Sequence, residues 1–343
     1  MSGSIIVCHP LAGRGRGAAA APTAPLTVDL GAGAPADTAL VGGKAAGLER
    51  LMAAALPCPA AFCVTTAALE HYLDDASLRG RLATLVAAAD FGELRTIAFE
   101  AQLPAQLVEE IAAATERLRA RAAGVRLLAV RSSAADEDAG SHSFAGLHET
   151  QLGVPLKGVG AAVRKCWASL WSRQAVAYRA QRGLPLAEAS MAVVVQALVP
   201  ASVSAVAFTV NPLTGADDEV LVHATCGLGP TLVDNEVTPD IAIIDKRSLA
   251  VRKRDVGDKH MRIDPRAAGG VVRSRSASTA PALCDDQLVE LARLAIETEH
   301  RLGTPVDVEA ALAGIWQLVQ ARPITTLDAD ADADAGPTSF AAA

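Results

Sequence analysis

Two links in this chain are too short to be anything but turns, and they limit its architecture more than any other feature. Residues 199–202 are all that separates the β-rich run AVVVQAL (192–198) from VSAVAFTV (203–210), and residues 311–314 all that separates the runs 306–310 and 315–321. Parallel neighbours need a crossover of about a dozen residues or more. Both pairs are therefore expected to run antiparallel. LLAV (127–130), VLVHATC (220–226) and IAII (241–244) are further short β-rich runs. Between them, apolar residues recur at helical spacing: Leu48, Leu51, Met52 and Ala55; Leu107 and Ile111; Val163, Trp167, Leu170, Trp171 and Tyr178; and Leu288, Leu291, Ala295 and Leu302. The mixture is an α+β chain without internal repeats.

With 343 residues, 51% of them apolar, the chain can build one large domain or two smaller ones. Its formal charge of −7, with no clustered basic face, argues against a nucleic-acid partner. No apolar run approaches the roughly 20 residues that span a bilayer, and no signal-peptide order opens the chain, so a cytoplasmic protein without a membrane partner is expected. The cysteines (Cys8, Cys58, Cys63, Cys166, Cys226 and Cys284) form no CxxC pair and read as buried thiols. Residues 1–37, rich in Ala, Gly and Pro, and 328–343, where Asp alternates with Ala, read as flexible ends. The folded part is expected over 38–327, as subdomains 38–190 and 191–327.

Chemistry concentrates in VDVEAALAGIWQLVQARPIT, residues 306–325. If Ala310 lies opposite Ile315, Glu309 lies opposite Trp316. The two-residue period then puts Trp316, Leu318, Gln320 and Arg322 on one side, so that Glu309, Gln320 and Arg322 share a face. A carboxylate and an amide oxygen suit Mg²⁺, and a guanidinium suits a phosphate. A surface hairpin with ordinary polar residues fits the spacing equally. Lys44 follows Gly42-Gly43 at the start of a helix, as a phosphate contact or as an ordinary exposed lysine; the segment does not match GxxxxGK[ST]. Arg131 leaves the run LLAV either for a phosphate or for a salt bridge to Asp136, Glu137 or Asp138.

Taken in order, VGGKAAGL (41–48), CPAAFCVTTAAL (58–69), RSSAADED (131–138), SFAGLHET (143–150), CWASLWSRQAVAYR (166–179), VVVQALV (193–199), AFTVNPLTG (207–215), CGLG (226–229), VTPD (237–240) and DVEAALAGIWQLVQARPIT (307–325) resemble the N-terminal nucleotide-binding domain of the phosphoenolpyruvate synthase and pyruvate phosphate dikinase family. The resemblance implies an ATP-grasp fold of two subdomains with the nucleotide cleft between them, using ATP and Mg²⁺. Lys44 and Arg131 would hold the phosphates, Arg322 would stabilise the phosphoryl group in flight, and Glu309 and Gln320 would bind Mg²⁺. Gln196 and the main chain of Leu198 and Val199 would meet the adenine. Ser132, Ser133 and the stretch to Gly146 would lie over the phosphates as a lid. The chain departs from the family pattern at Ala205, Pro230 and Asn235, where glycine, glutamate and glycine are usual, and at Ala310, where tryptophan is usual.

In this family the phosphoryl group passes to a histidine on a swivelling domain, in a TSH-type motif beyond the ARPIT segment. The sequence holds no such motif; its histidines are His9, His71, His142, His148, His223, His260 and His300. Gly140-Ser141-His142 imitates one but falls between RSSAADED and SFAGLHET, so His142 reads as a loop residue and His148 as a surface residue. The resemblance thus points to the ATP-binding subunit of a split dikinase. A separate partner subunit would carry the phosphohistidine and the site for a small-molecule acceptor, as in the phenylphosphate synthase type. A component of a phosphoenolpyruvate synthase-like or rifampin phosphotransferase-like system, and a non-catalytic nucleotide-binding module, are the alternatives.

Overall fold

The computed structural model describes residues 24–324, apart from 34, 75, 89, 135–148, 185, 187–188 and 277–278. The first lobe is built on five antiparallel strands, β1 (Thr27–Asp29), β2 (Ala61–Val64), β3 (Leu127–Ala134), β4 (Thr150–Pro155) and β5 (Met191–Ala197), in the order β1-β2-β5-β3-β4. Its helices are α1 (Thr38–Ala53), α2 (Thr66–Leu73), α3 (Ala76–Ala88), α4 (Phe91–Glu100), α5 (Ala105–Arg121), α6 (Val159–Ala168) and α7 (Arg173–Gln181). The helical spacing noted in α5 buries Leu107, Ile111, Ala114 and Leu118 in one core with Val193 and Val195 of β5. Tyr72 and Trp167 stack there at 5.2 Å, and each polar tip finds a carbonyl: Tyr72 Oη donates to Ala98 O at 2.6 Å and Trp167 Nε1 to Met191 O at 3.1 Å.

The second lobe carries β6 (Val203–Phe208), β7 (Glu219–Cys226), β8 (Asp240–Asp245), β9 (Val251–Asp255), the separate hairpin β10 (Met261–Pro265) and β11 (Val271–Arg275), then β12 (Val306–Ala313) and β13 (Ile315–Pro323). The large sheet runs β13-β12-β6-β7-β8-β9, antiparallel throughout. Its helices are the short α8 (Pro230–Val233) and α9 (Asp285–Leu302), which closes on Gly303 at φ 72°. One face of the large sheet shares a core with α9, α1 and the underside of the first sheet, through residues such as Leu291, Leu48, Ala192, Val194, Val308 and Leu318. The lobes are therefore joined by packing as well as by the chain, and α1 touches β3, β5 and β13 alike.

Three boundaries differ from the sequence expectation. The first sheet begins inside the stretch expected to be flexible, because Leu26 and Leu30, 4% and 2% exposed, anchor β1 beside β2. The subdomain division falls after β5, not at residue 190: β5 is the central strand of the first sheet, with Val193 and Val195 buried on one face and Ala192 and Val194 on the other. Residues 199–202 do not close a hairpin but carry the chain from one sheet to the next. Leu198 N donates to Leu127 O at 3.0 Å and Ser202 N to Leu312 O at 2.8 Å, stitching the two ends into different sheets across Pro200, which has no N–H to offer. The cysteines also divide. Burial pushes the Cys58 and Cys166 thiols up to about 12 and Cys63 higher still, whereas Cys284 is exposed at the start of α9, where a polar helix terminus faces solvent. Among the described residues no helix is long and apolar enough to cross a membrane.

Candidate active site

The site grows from an irregularity in the β12–β13 hairpin. Gly314, at φ 81°, makes the turn, so Leu312 pairs with Trp316 and Ala310 with Leu318. A β-bulge then skips Val319, and Glu309 pairs with Gln320 and Asp307 with Arg322. The expected register, with Glu309 opposite Trp316 and a single face from Trp316 to Arg322, is therefore wrong. Trp316 and Leu318 enter the shared core, where an amide or guanidinium would have no partners, and the bulge turns Gln320 and Arg322 to the opposite face. Glu309, Gln320 and Arg322 still share a face, with Asp307 added to it.

Arg131 of β3 reaches across from the other lobe. Its Nη2 donates to Glu309 Oε2 at 2.9 Å and to Gln320 Oε1 at 3.0 Å, and its Nη1 donates to the carbonyl of Val319, the residue the bulge releases from pairing, at 3.0 Å. The Arg131 and Glu309 side chains are 14% and 24% exposed, so this is a largely desolvated ion pair at the mouth between two sheets. The alternative partners Asp136, Glu137 and Asp138 lie outside the described residues.

Behind Arg131 the backbone of α1 breaks at Gly42, φ 76° and ψ 169°, and the helix restarts at Gly43-Lys44. Ser133 fills the break: its Oγ donates to Val41 O at 2.8 Å and accepts from Ala45 N at 3.2 Å, capping the new helix start from a different strand. A Cβ on Gly42 would lie 2.1 Å from Ser133 O, so the position admits only glycine. Lys44 is half-buried at that helix start, and its ammonium draws the Cys166 thiol down against the effect of burial. Ser132 and Ser133, expected in a lid, are instead 1% and 0% exposed, held there by the pairing of β3 with β5. Gly146, His142 and His148 lie outside the described residues.

At the far end of β5, Gln196 is 2% exposed and its Nε2 has no partner among the described residues. The neighbouring link spends part of its main chain internally, Leu198 N on Leu127 O and Val199 O on Ala201 N at 2.8 Å. Among the described residues Leu198 O and Val199 N take no part in these main-chain bonds, which leaves one acceptor beside one donor. A small apolar cluster that includes Leu198, Val199, Ala311 and Val319 adjoins them. The arrangement has an apolar end with a paired donor and acceptor, and a polar end with a carboxylate, an amide oxygen and two arginines. A purine and its phosphates have the same sequence of chemistries. Among the described residues no group of three or more His, Cys, Asp and Glu could hold a metal. Glu309 and Gln320 alone fit Mg²⁺, which keeps most of its octahedron for phosphate oxygens and water.

Two further residues come from sheet order. Asp307 has the parity of Glu309 and could have been read with it. His223 could not: pairing runs Gln320–Glu309–Val206–His223 across four strands, which puts it in the same row. Burial holds its imidazole below the ordinary value, and it meets Phe208 edge-on at 5.8 Å.

The family profile described as pyruvate phosphate dikinase, AMP/ATP-binding domain, matches residues 38–339. The chain belongs to this family. The fold is accordingly the α+β ATP-grasp arrangement. Similar proteins include a prodigiosin synthesizing transferase, PigC, of Serratia marcescens, 38% identical over 88% of this chain and 33% of its own length. The phosphoenolpyruvate synthase of Pyrococcus furiosus is 30% identical over 87% of this chain and 43% of its own. A rifampicin phosphotransferase of a Streptomyces species is 35% identical over 88% and 36%. The chain thus spans about a third to two-fifths of the length of these relatives. Two of its departures from the family pattern suit the local backbone: Pro230 takes the first position of α8, and Asn235 adopts φ 54°, a conformation asparagine tolerates in place of glycine.

Proposed function

We propose that this chain is the ATP-activating subunit of a dikinase-type phosphotransferase. The observation that carries the reading is the Arg131 bridge, which joins the lobes through the two oxygens, of Glu309 and Gln320, that suit Mg²⁺. Mg²⁺, when bound, supplies charge neutralisation on the phosphates. Glu309 and Gln320 would hold it, releasing the Arg131 guanidinium to the phosphates beside Lys44. Gln196, Leu198 O and Val199 N would read the adenine edge. Arg322 would stabilise the negative charge that develops as the phosphoryl group moves. The acceptor is a histidine nitrogen on a separate subunit. It attacks the β-phosphorus, the bond from that phosphorus to the α–β bridging oxygen breaks, and AMP leaves. Water then removes the terminal phosphate, leaving a phosphohistidine that serves a small acceptor, phenols being the first class to test.

The experiment is incubation with β- or γ-labelled ATP and Mg²⁺, with and without a co-purified or gene-neighbour histidine-bearing polypeptide. AMP together with acid-labile β-label on that polypeptide is the expected result. ADP as the product, or label retained on this chain, would overturn the assignment, and nucleotide binding without turnover in any combination would leave a binding module.

A further inference from the structure

The β10–β11 hairpin belongs to the second lobe but does not end there. At its root, Ser276 N donates to His260 O at 2.9 Å and the fully buried Lys259 ion-pairs with Asp240; midway along β10, Leu228 N donates to Ile263 O at 2.8 Å. At its tip, Gly270 N donates to the carbonyl of Gly153, on β4 of the first lobe, at 2.7 Å. No side chain intervenes at this contact. A Cβ on Gly153 would lie 2.3 Å from Gly270 O, and one on Gly269 would lie 2.6 Å from Pro155 Cγ. All three glycines adopt φ between 71° and 106°, which L side chains disfavour. Two lobes from distant parts of the chain thus meet backbone to backbone, at residues that all lack a side chain.

Between root and tip, Ile263 and Val271 pack into the same apolar cluster as Leu198 and Val199 of the link and Leu152 of β4. The hairpin therefore crosses the link end of the cleft, one edge seated on the second lobe and its tip on the first. The geometry points to a clasp: the hairpin must lift from Gly153 for nucleotide to enter or leave, and its reseating holds the lobes closed over the base. This rests on the reading of the cleft as a nucleotide site. Among the described residues the tip is held to the first lobe by one backbone hydrogen bond and apolar contacts, and a segment so held is built to open, because it occupies the low-stability end of a fold. A root held by a buried ion pair is built to stay.

The test is stopped-flow binding and release of a fluorescent N-methylanthraniloyl-ATP with Mg²⁺ on the full chain, comparing wild type with Gly269→Val and Gly153→Ala. The clasp requires release at least tenfold faster in both variants, with association no slower. Independently of any variant, exchange of the wild-type Gly270 amide must slow when a non-hydrolysable ATP analogue saturates the protein. Unchanged release rates in folded variants, or a Gly270 amide indifferent to nucleotide, overturn the clasp while leaving the nucleotide reading standing. A wild-type chain that binds neither analogue overturns both.

Discussion

Arg131 and Glu309 are 178 residues apart in the chain and 2.9 Å apart in the structure, which makes their coupling a direct measure of how firmly the lobes are tied. A solvent-exposed pair contributes about 0.2–1 kcal/mol, and removing one partner from a fully buried pair costs about 3–5 kcal/mol. With side chains 14% and 24% exposed, this pair lies between those limits. Arg131→Ala also strands the Gln320 amide oxygen and the Val319 carbonyl, so its cost should be about 3 kcal/mol. Glu309→Ala leaves the guanidinium two of its acceptors and should cost about 2 kcal/mol. The double variant should fall short of the sum by about 1.5 kcal/mol, the coupling that belongs to the pair. Urea unfolding followed by tryptophan fluorescence measures all three, since Trp167 reports the first core and Trp316 the core shared between lobes. Under the proposed metal role of Glu309, saturating Mg²⁺ and ATP should then erase most of the coupling, since the carboxylate would exchange arginine for metal. Costs that add to within about 0.5 kcal/mol in the ligand-free protein would refute the bridge, and a coupling untouched by Mg²⁺ and ATP would refute the exchange.

Arg322→Ala should abolish turnover while ATP binding by calorimetry is largely kept, whereas Lys44→Ala should weaken both; the opposite ordering would mean that the two roles are reversed. Gly42→Ala forces a Cβ to 2.1 Å from Ser133 O at a φ of 76° and should destabilise the fold by at least about 2 kcal/mol in denaturant titration, with loss of nucleotide binding; wild-type stability would contradict the cap at Ser133. His223, held below the ordinary 6.5 by burial, binds its proton less readily folded than unfolded, so stability should fall as pH drops below about 6.5. Unfolding at pH 7.5 and 5.5 should show a smaller loss for His223→Asn than for the parent, the difference bounded by about 1.4 kcal/mol per pH unit for one proton; identical losses would show that the imidazole titrates normally.

The shared face of Glu309, Gln320 and Arg322 is reached from the sequence by a register that the structure corrects, and the reason is instructive. Strict alternation from Trp316 to Arg322 puts two large apolar residues and two polar ones on one side of a strand. No single environment satisfies both, so the alternation itself signals a break of parity between Leu318 and Gln320, where the bulge lies. The link at 199–202 misleads for a different reason: a hairpin turn and a step between sheets need the same number of residues, and only Pro200 hints at the second. Burial of β1 is likewise legible in Leu26 and Leu30 once the Ala, Gly and Pro around them are set aside. What no local pattern contains is the third dimension of the site. Ser133 capping a helix 88 residues away and Arg131 placed against Glu309 depend on how two sheets face each other. That facing has a functional consequence which residue types alone do not. The Arg131 guanidinium sits on the Glu309 and Gln320 oxygens, so on the proposed reading the group that ties the lobes together is the one nucleotide would recruit. Metal and arginine would then compete for one place, and occupancy of the cleft would be coupled to the contact between the lobes.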